Sequence, residues 1–258
     1  MRLLPRTRRQ RNPTGSMSVI EHLEELRKRV VISVIGVLIG AIVGWILYPQ
    51  VLHLLIHSYK QACEALPRGN KPPIPCDKVI ATGVVEPFII RFKVAMFTGL
   101  AIALPLVLHQ LWRFITPGLT GRERRLVIPF VFTSVVLFAL GGTFAYLTLP
   151  KGLHFLLGFA GQSIVVLPSA TKYFSFVMLL VLAFGISFEF PLVLIFLAWL
   201  RIVPSTRLRK WRRMAILVIT LFAAVITPSQ DPYTQLAMMV PMIVFYEVAI
   251  LVARLMKR

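Results

Sequence analysis

Long stretches with almost no Asp, Glu, Lys or Arg alternate with short basic segments along most of this chain. An apolar helix needs about 20 residues to cross a bilayer core. Six runs approach or exceed that length, at 30–48, 87–112, 126–149, 173–200, 214–227 and 232–253. A further apolar stretch at 153–167 carries Gly158 and Gly161 and ends at Pro168, so it reads as an interfacial loop or half-helix. The fifth run would extend only about 21 Å as a helix, short of a core of ~30 Å. The pattern therefore predicts an all-α membrane protein of six spans with short fifth and sixth spans. Pro105, Pro129, Pro191 and Pro241 fall inside four of the runs. Prolines inside spans are tolerated where neighbouring groups satisfy the freed carbonyls, which implies a kinked, curved bundle with a concave face.

The polar breaks are informative. Ser18-Val-Ile-Glu21 has capping-box spacing, and the helix it opens runs unbroken into the first apolar run. On that helix Glu24 lies opposite Lys28 and Glu25 opposite Arg29, the favourable i,i+4 order. These acids then serve either as internal pairing groups or as a recognition surface. The segment 112–125 contains Glu123 among Arg122, Arg124 and Arg125. Asp231-Pro232 is an N-cap followed by a proline at the first helical position, which starts the sixth run after a tight turn. Glu247 sits near the end of that run, within reach of Arg254.

Glu189 stands apart, with uncharged residues on both sides in the middle of the fourth run. A carboxylate at such depth costs ~2.5 kcal/mol or more on insertion scales, so it should face protein, water or a partner rather than lipid. Pro191 leaves the Ser187 carbonyl without its helical donor and favours a kink beside the acid.

Composition agrees with the pattern. Hydrophobic residues make up 57% of the 258 and charged residues 15%, with a mean hydropathy of +0.77. The net charge of +19 would suggest nucleic acid in a soluble protein. Here 21 of the 29 Lys and Arg lie in 1–29, 113–125, 201–213 and 254–258, the segments on one side of a six-span arrangement. That is the distribution of a topology signal and not of a nucleic-acid footprint, and it places both termini in the cytoplasm. Residues 1–17 read as a disordered basic tail near anionic lipid, 18–254 as the membrane domain and 255–258 as a short basic end. Cys63 and Cys76 share one external loop, where they form a disulfide or remain free thiols.

Enzyme motifs are missing from the sequence, with no metalloprotease, nucleophile-elbow, phosphate-loop or dinucleotide signature. His53 and His57 are four apart but lie in an apparent loop, and neither a metal nor a cofactor is expected. A proton-coupled secondary transporter or channel using Glu189 remains an alternative, although the inverted repeats typical of that class are not seen.

Four motifs carry a resemblance: H-L-E-E-L-R-K-R at 22–29, F-I-T-P-G-L-T-G-R-E-R-R at 114–125, F-G-I-S-F-E-F-P at 184–191 and T-P-S-Q-D-P at 227–232. Together they resemble the TatC family, the multispanning receptor of the twin-arginine protein translocase. The basic extension and the cysteine loop are most similar to its actinobacterial branch. The resemblance implies a six-helix curved wall in the bacterial cytoplasmic membrane. It also implies binding of Arg-Arg signal peptides on folded cargo, assembly with the single-span subunits TatA and TatB, self-association, and transport driven by the protonmotive force. The family's signal-peptide acids fall on Glu25 and Glu123. Arg27, Phe114 and Pro117 match neighbouring positions of that patch, and Glu189 matches an intramembrane acid tied to partner docking. One departure is expected to matter: an acid common in the external loop before the fourth span is replaced here by Ser169 and Lys172.

Overall fold

The computed structural model describes residues 19–67, 71–115, 127–159, 167, 169–200, 202–228 and 231–256. They form helices α1 (Val19–Ile46), α2 (Tyr48–Glu64), α3 (Glu86–Ile115), α4 (Val127–Phe159), α5 (Ala170–Phe188), α6 (Phe190–Trp199), α7 (Ser205–Lys210), α8 (Arg212–Ile226) and α9 (Pro232–Leu255). Among the described residues, five helical segments are long and apolar enough to cross a membrane: α1, α3, α4, α5 with α6, and α9. The fold is all-α, as the apolar runs predict.

The boundaries differ in instructive ways. The polar opening of α1 and its apolar remainder are one helix of 28 residues. Residues 153–159 continue α4 and are not a separate loop or half-helix. The sixth run, expected to be short, is a 24-residue helix, or about 36 Å. The fifth, α8, is indeed short at 15 residues, or about 22 Å. Between α5 and α6 the chain stays near helical geometry at Glu189, and the Val193 amide still donates to the Glu189 carbonyl.

The helices form a row rather than a closed bundle. α1 packs chiefly on α3, α3 on α4, α4 on α5, α6 on α9, and α9 on α8. Glycines set the closest approach in this row. A Cβ added at Gly40 would lie 2.5 Å from the Gly99 carbonyl oxygen, and one at Gly44 would lie 2.5 Å from that of Ala95. Within lipid, where apolar side chains gain nothing by leaving the tails, such backbone contact is what holds two helices together. The opposite side of α1 (Val34, Ile35, Leu38 and Ile42) is exposed, as suits a helix facing lipid tails.

One end of the row is closed by covalent and polar clasps. α2 buries Leu55, Ser58, Tyr59, Ala62 and Cys63, an i, i+3, i+4 spacing that defines one helical face. The Tyr173 hydroxyl donates to the Leu55 carbonyl at 2.7 Å, and that of Tyr146 to Leu54 at 3.0 Å. Cys63 and Cys76 are joined as a disulfide, with Cα atoms 5.6 Å apart. Closing so short a loop is worth about 2–3 kcal/mol. Replacing both cysteines by serine is therefore expected to lower the melting temperature and expose residues 64–76 to protease. Unchanged proteolysis would assign the clasp to Glu86 instead.

Glu86, the first residue of α3, is buried. Its carboxylate accepts from the Thr82 amide and hydroxyl, from the Gly83 amide at 3.3 Å, from the Ser169 hydroxyl at 2.8 Å and from the Thr171 amide at 2.9 Å. The Thr171 amide belongs to the first turn of α5, so an acid on α3 caps a different helix. The position before α5 lacks an acid of its own, and Glu86 brings one there.

At the same end, Asp231 caps α9 by accepting from the Thr234 amide at 2.9 Å, as its sequence predicts. Glu247 pairs across to Arg212 on α8 and not along its own helix to Arg254. The Tyr246 hydroxyl, beside it, donates to the Leu208 carbonyl of α7 at 2.7 Å. These contacts hold α7 and the start of α8 against α9. His53 and His57 lie on α2, not in a loop, and His57 hydrogen-bonds with Gln61.

Candidate functional site

The end of the row that holds the start of α1 also holds the ends of α3 and α9. There α1 and α3 run antiparallel, and their facing side chains meet. Glu25 and Arg29, one turn apart on α1, form an ion pair in which Arg29 donates to Glu25 Oε1. Arg29 also donates to Gln110 Oε1 on α3 at 3.1 Å. One turn further along each helix, His22 stacks on Phe114 with ring centroids 4.4 Å apart and planes 16° from parallel. Spacings of three on α1 (His22, Glu25) and four on α3 (Gln110, Phe114) put these groups on one face of each helix.

The Glu25 carboxylate is only half used. Its Oε2 is buried and has no hydrogen-bond partner among the described residues, while the side chain as a whole keeps 20% of its exposure. A buried acceptor left unpaired costs about 1–3 kcal/mol, which a donor arriving from outside would recover. Arg27 lies elsewhere. It lines an open groove with Glu24, Lys28, Val31 and Ile32, on a face of α1 turned away from Glu25. The candidate residues Glu123 and Pro117 lie outside the described residues, on the segment that follows Phe114 and Ile115.

Deeper in the same half of the row, the Trp112 indole donates to Ser134 Oγ at 3.2 Å, and the Ser134 hydroxyl donates to Glu189 Oε2. Three helical segments thus meet in one line of hydrogen bonds. Trp112, Phe130 and Phe196 pack around it with ring centroids 5.0–5.5 Å apart. Glu189 Oε1 is buried and has no partner among the described residues, a second acceptor open to a donor. Among the described residues no group of three or more His, Cys, Asp or Glu is arranged to hold a metal ion.

This architecture has close counterparts. The family model described as "Sec-independent protein translocase protein (TatC)" matches residues 21–241. The chain belongs to the TatC family. A Sec-independent protein translocase protein TatC from Frankia casuarinae is 42% identical over 94% of this chain and 67% of its own length. The TatC of Aquifex aeolicus is 36% identical over 94% of this chain and 97% of its own. A crystal structure of the twin-arginine translocase receptor TatC superposes with a TM-score of 0.74 at 35% identity, covering 92% of this chain and all of that one. The TatC family consists of membrane components of a protein translocase and has no enzymatic chemistry, so partner subunits of that translocase are implied.

Within this TatC chain, Glu25 and Phe114 are brought to one surface, Arg27 is turned to another, and Glu189 lies below. Sequence reasoning missed His22, Gln110, Trp112 and Ser134. Each is an ordinary polar or aromatic residue whose partner lies 22 to 92 positions away along the chain, so spacing alone gives no cue. The available signal was the i,i+3 and i,i+4 placement of His22 and Arg29 around Glu25.

Proposed function

We propose that this chain is the signal-peptide receptor of a twin-arginine translocase, with Glu25 as a carboxylate that receives an arginine of the signal. The observation that carries this is the half-used Glu25: Arg29, itself held by Gln110, bonds one oxygen, and the other has no partner among the described residues. A guanidinium pairs with a carboxylate through a planar fork that an ammonium cannot reproduce, so the site favours Arg-Arg over Lys-Lys. Glu123, on the segment leaving Phe114, is the second carboxylate of this reading, and Pro117 belongs to the same segment. Arg27, on a separate face of α1, stands outside this patch and is assigned to contact with anionic headgroups.

In this reading the row spans the bacterial cytoplasmic membrane six times, α8 being the short fifth span. Both termini are cytoplasmic, and the basic tail 1–17 lies against anionic lipid. Glu189, with one oxygen unpaired in the apolar layer, docks a polar group of a single-span partner, TatA or TatB. Receptor copies self-associate along the open ends of the row, and the protonmotive force drives export of folded cargo. The small-solute transporter reading needs a proton relay at Glu189. Ser134 and Trp112, its nearest hydrogen-bonded neighbours, are not titratable in the working range.

The test is photocrosslinking from positions 20–29 and 112–125 to a twin-arginine precursor. Glu25→Ala or Glu123→Ala is expected to cut adduct yield about tenfold or more, equivalent to one charged hydrogen bond of roughly 1.5–3 kcal/mol. Membrane insertion should stay intact. Wild-type yields in both variants would remove those acids from the reading.

A further inference from the structure

We propose that His22, stacked on Phe114, is a specificity-determining residue whose exposed ring face seats an arginine guanidinium while Glu25 takes its charge. The proposal rests on the receptor reading above and deepens it, naming the group that tells arginine from lysine.

The geometry supports this in three steps. First, the stack joins two helices: His22 belongs to α1 and Phe114 to α3, with ring centroids 4.4 Å apart and planes nearly parallel. Phe114 is half-buried and covers one face of the imidazole, yet His22 remains exposed. The ring is therefore fixed in orientation with a flat face still available. A platform that is already rigid loses little entropy when a ligand stacks on it.

Second, the charge lies in the correct place. Glu25 follows His22 by three residues on the same helical face, and its Oε2, buried and without a partner among the described residues, reaches an incoming donor once the partly exposed side chain turns outward. A guanidinium is planar and delocalised. It can lie flat on an aromatic ring while its edge donates to a carboxylate, whereas a tetrahedral ammonium has no planar edge with which to do both at once.

Third, the protein already contains the arrangement in miniature. Arg29 donates to Glu25 Oε1 and is steadied by Gln110. An incoming arginine on Oε2 would mirror that internal arginine across the same carboxylate, with His22 in place of Gln110 as the steadying group.

The experiment measures dissociation constants of synthetic signal peptides bearing Arg-Arg or Lys-Lys for the detergent-solubilised full-length protein. His22→Ala is expected to weaken Arg-Arg binding roughly fivefold, the scale of one stacking contact. It should leave Lys-Lys binding unchanged, narrowing the Arg/Lys ratio. His22→Trp should keep the wild-type ratio, and His22→Leu, which retains apolar packing on Phe114, should narrow it as alanine does. Equal weakening of both peptides by His22→Ala, or a wild-type ratio in His22→Leu, would overturn the platform and leave His22 as packing. A wild-type protein that binds both peptides equally, or neither, would overturn the receptor reading and this inference with it. A Glu25→Ala protein that loses binding while His22→Leu keeps the full ratio would overturn the platform alone.

Discussion

Gly99→Leu is expected to abolish the docking of α1 on α3 and, with it, the peptide site at their shared end. The backbone of Gly99 already touches α1: a Cβ at Gly40 would meet its carbonyl oxygen at 2.5 Å and its Cα at 3.0 Å. A side chain at position 99 would in turn meet the backbone of Val37 and Ala41. Neither backbone can rotate away as a side-chain tip could, so the helices must separate along their length. Overpacking a tight site costs about 1–3 kcal/mol, and more where backbone is struck. α1 has almost no other neighbour from which to recover that loss. The expected result is a fall in melting temperature in detergent, protease access to residues 20–46, and loss of the Glu25-dependent adduct. Ile42→Leu, on the exposed face of the same helix, should change none of these. A Gly99→Leu protein with wild-type melting and wild-type adduct would show that α1 is held by something other than this contact.

How much of this could be read from the chain depends on the range of the interaction. The apolar runs are local, and they gave five of the helices that can span a membrane. The Asp231 cap is local too and occurs where Asp-Pro predicts it. Glu25 with Arg29 is an i,i+4 pair and was likewise legible. Glycines 36, 40 and 44 form a small-residue repeat at helical spacing, so the α1–α3 contact was written in the sequence as well, although only the structure shows what the repeat packs against.

What the chain does not display is pairing between distant segments. Glu247 has a basic residue seven positions on, yet pairs with Arg212, because α8 and α9 lie side by side and the two side chains leave the same end. Glu86 would be read as an ordinary acid in the first turn of a helix. Its function as the cap of α5 depends on Ile80 and Ser169 being neighbours, joined by an isolated parallel bridge and by the Ala170 amide donating to the Ile80 carbonyl at 2.8 Å. At the departure noted before the fourth span, Ser169 and the Thr171 amide thus meet an acid from another helix, which no local motif can reveal.

The same logic links the two acids of the candidate site. Phe114 stacks on His22 beside Glu25, and Trp112, two residues earlier on α3, begins the hydrogen bonds that end on Glu189. The last turn of α3 therefore touches both places, and any ligand that repositions Phe114 acts on the helix turn that anchors Ser134.

Glu189→Leu is accordingly expected to separate stability from function. The acid lies in an apolar layer with one oxygen unpaired, and a carboxyl group so placed costs several kcal/mol unless a partner repays it. Leucine is close in size, packs beside Leu192 and Phe196, and carries no such cost. It does orphan the Ser134 hydroxyl, which can turn to a carbonyl of its own helix, as Thr133 already does with Pro129. The isolated receptor should then melt at or above the wild-type temperature, and twin-arginine peptide binding should persist. Export of folded cargo should fall by about five- to thirtyfold, because the oxygen that would bind a partner in lipid is gone, and a polar contact there is worth roughly 1–2 kcal/mol. Glu189→Gln, which retains a carbonyl acceptor, should keep part of the activity. If Glu189→Leu instead lowered melting and peptide binding together, the acid would be a brace for α3, α4 and α5, and docking of a single-span subunit would have to be sought elsewhere on the row.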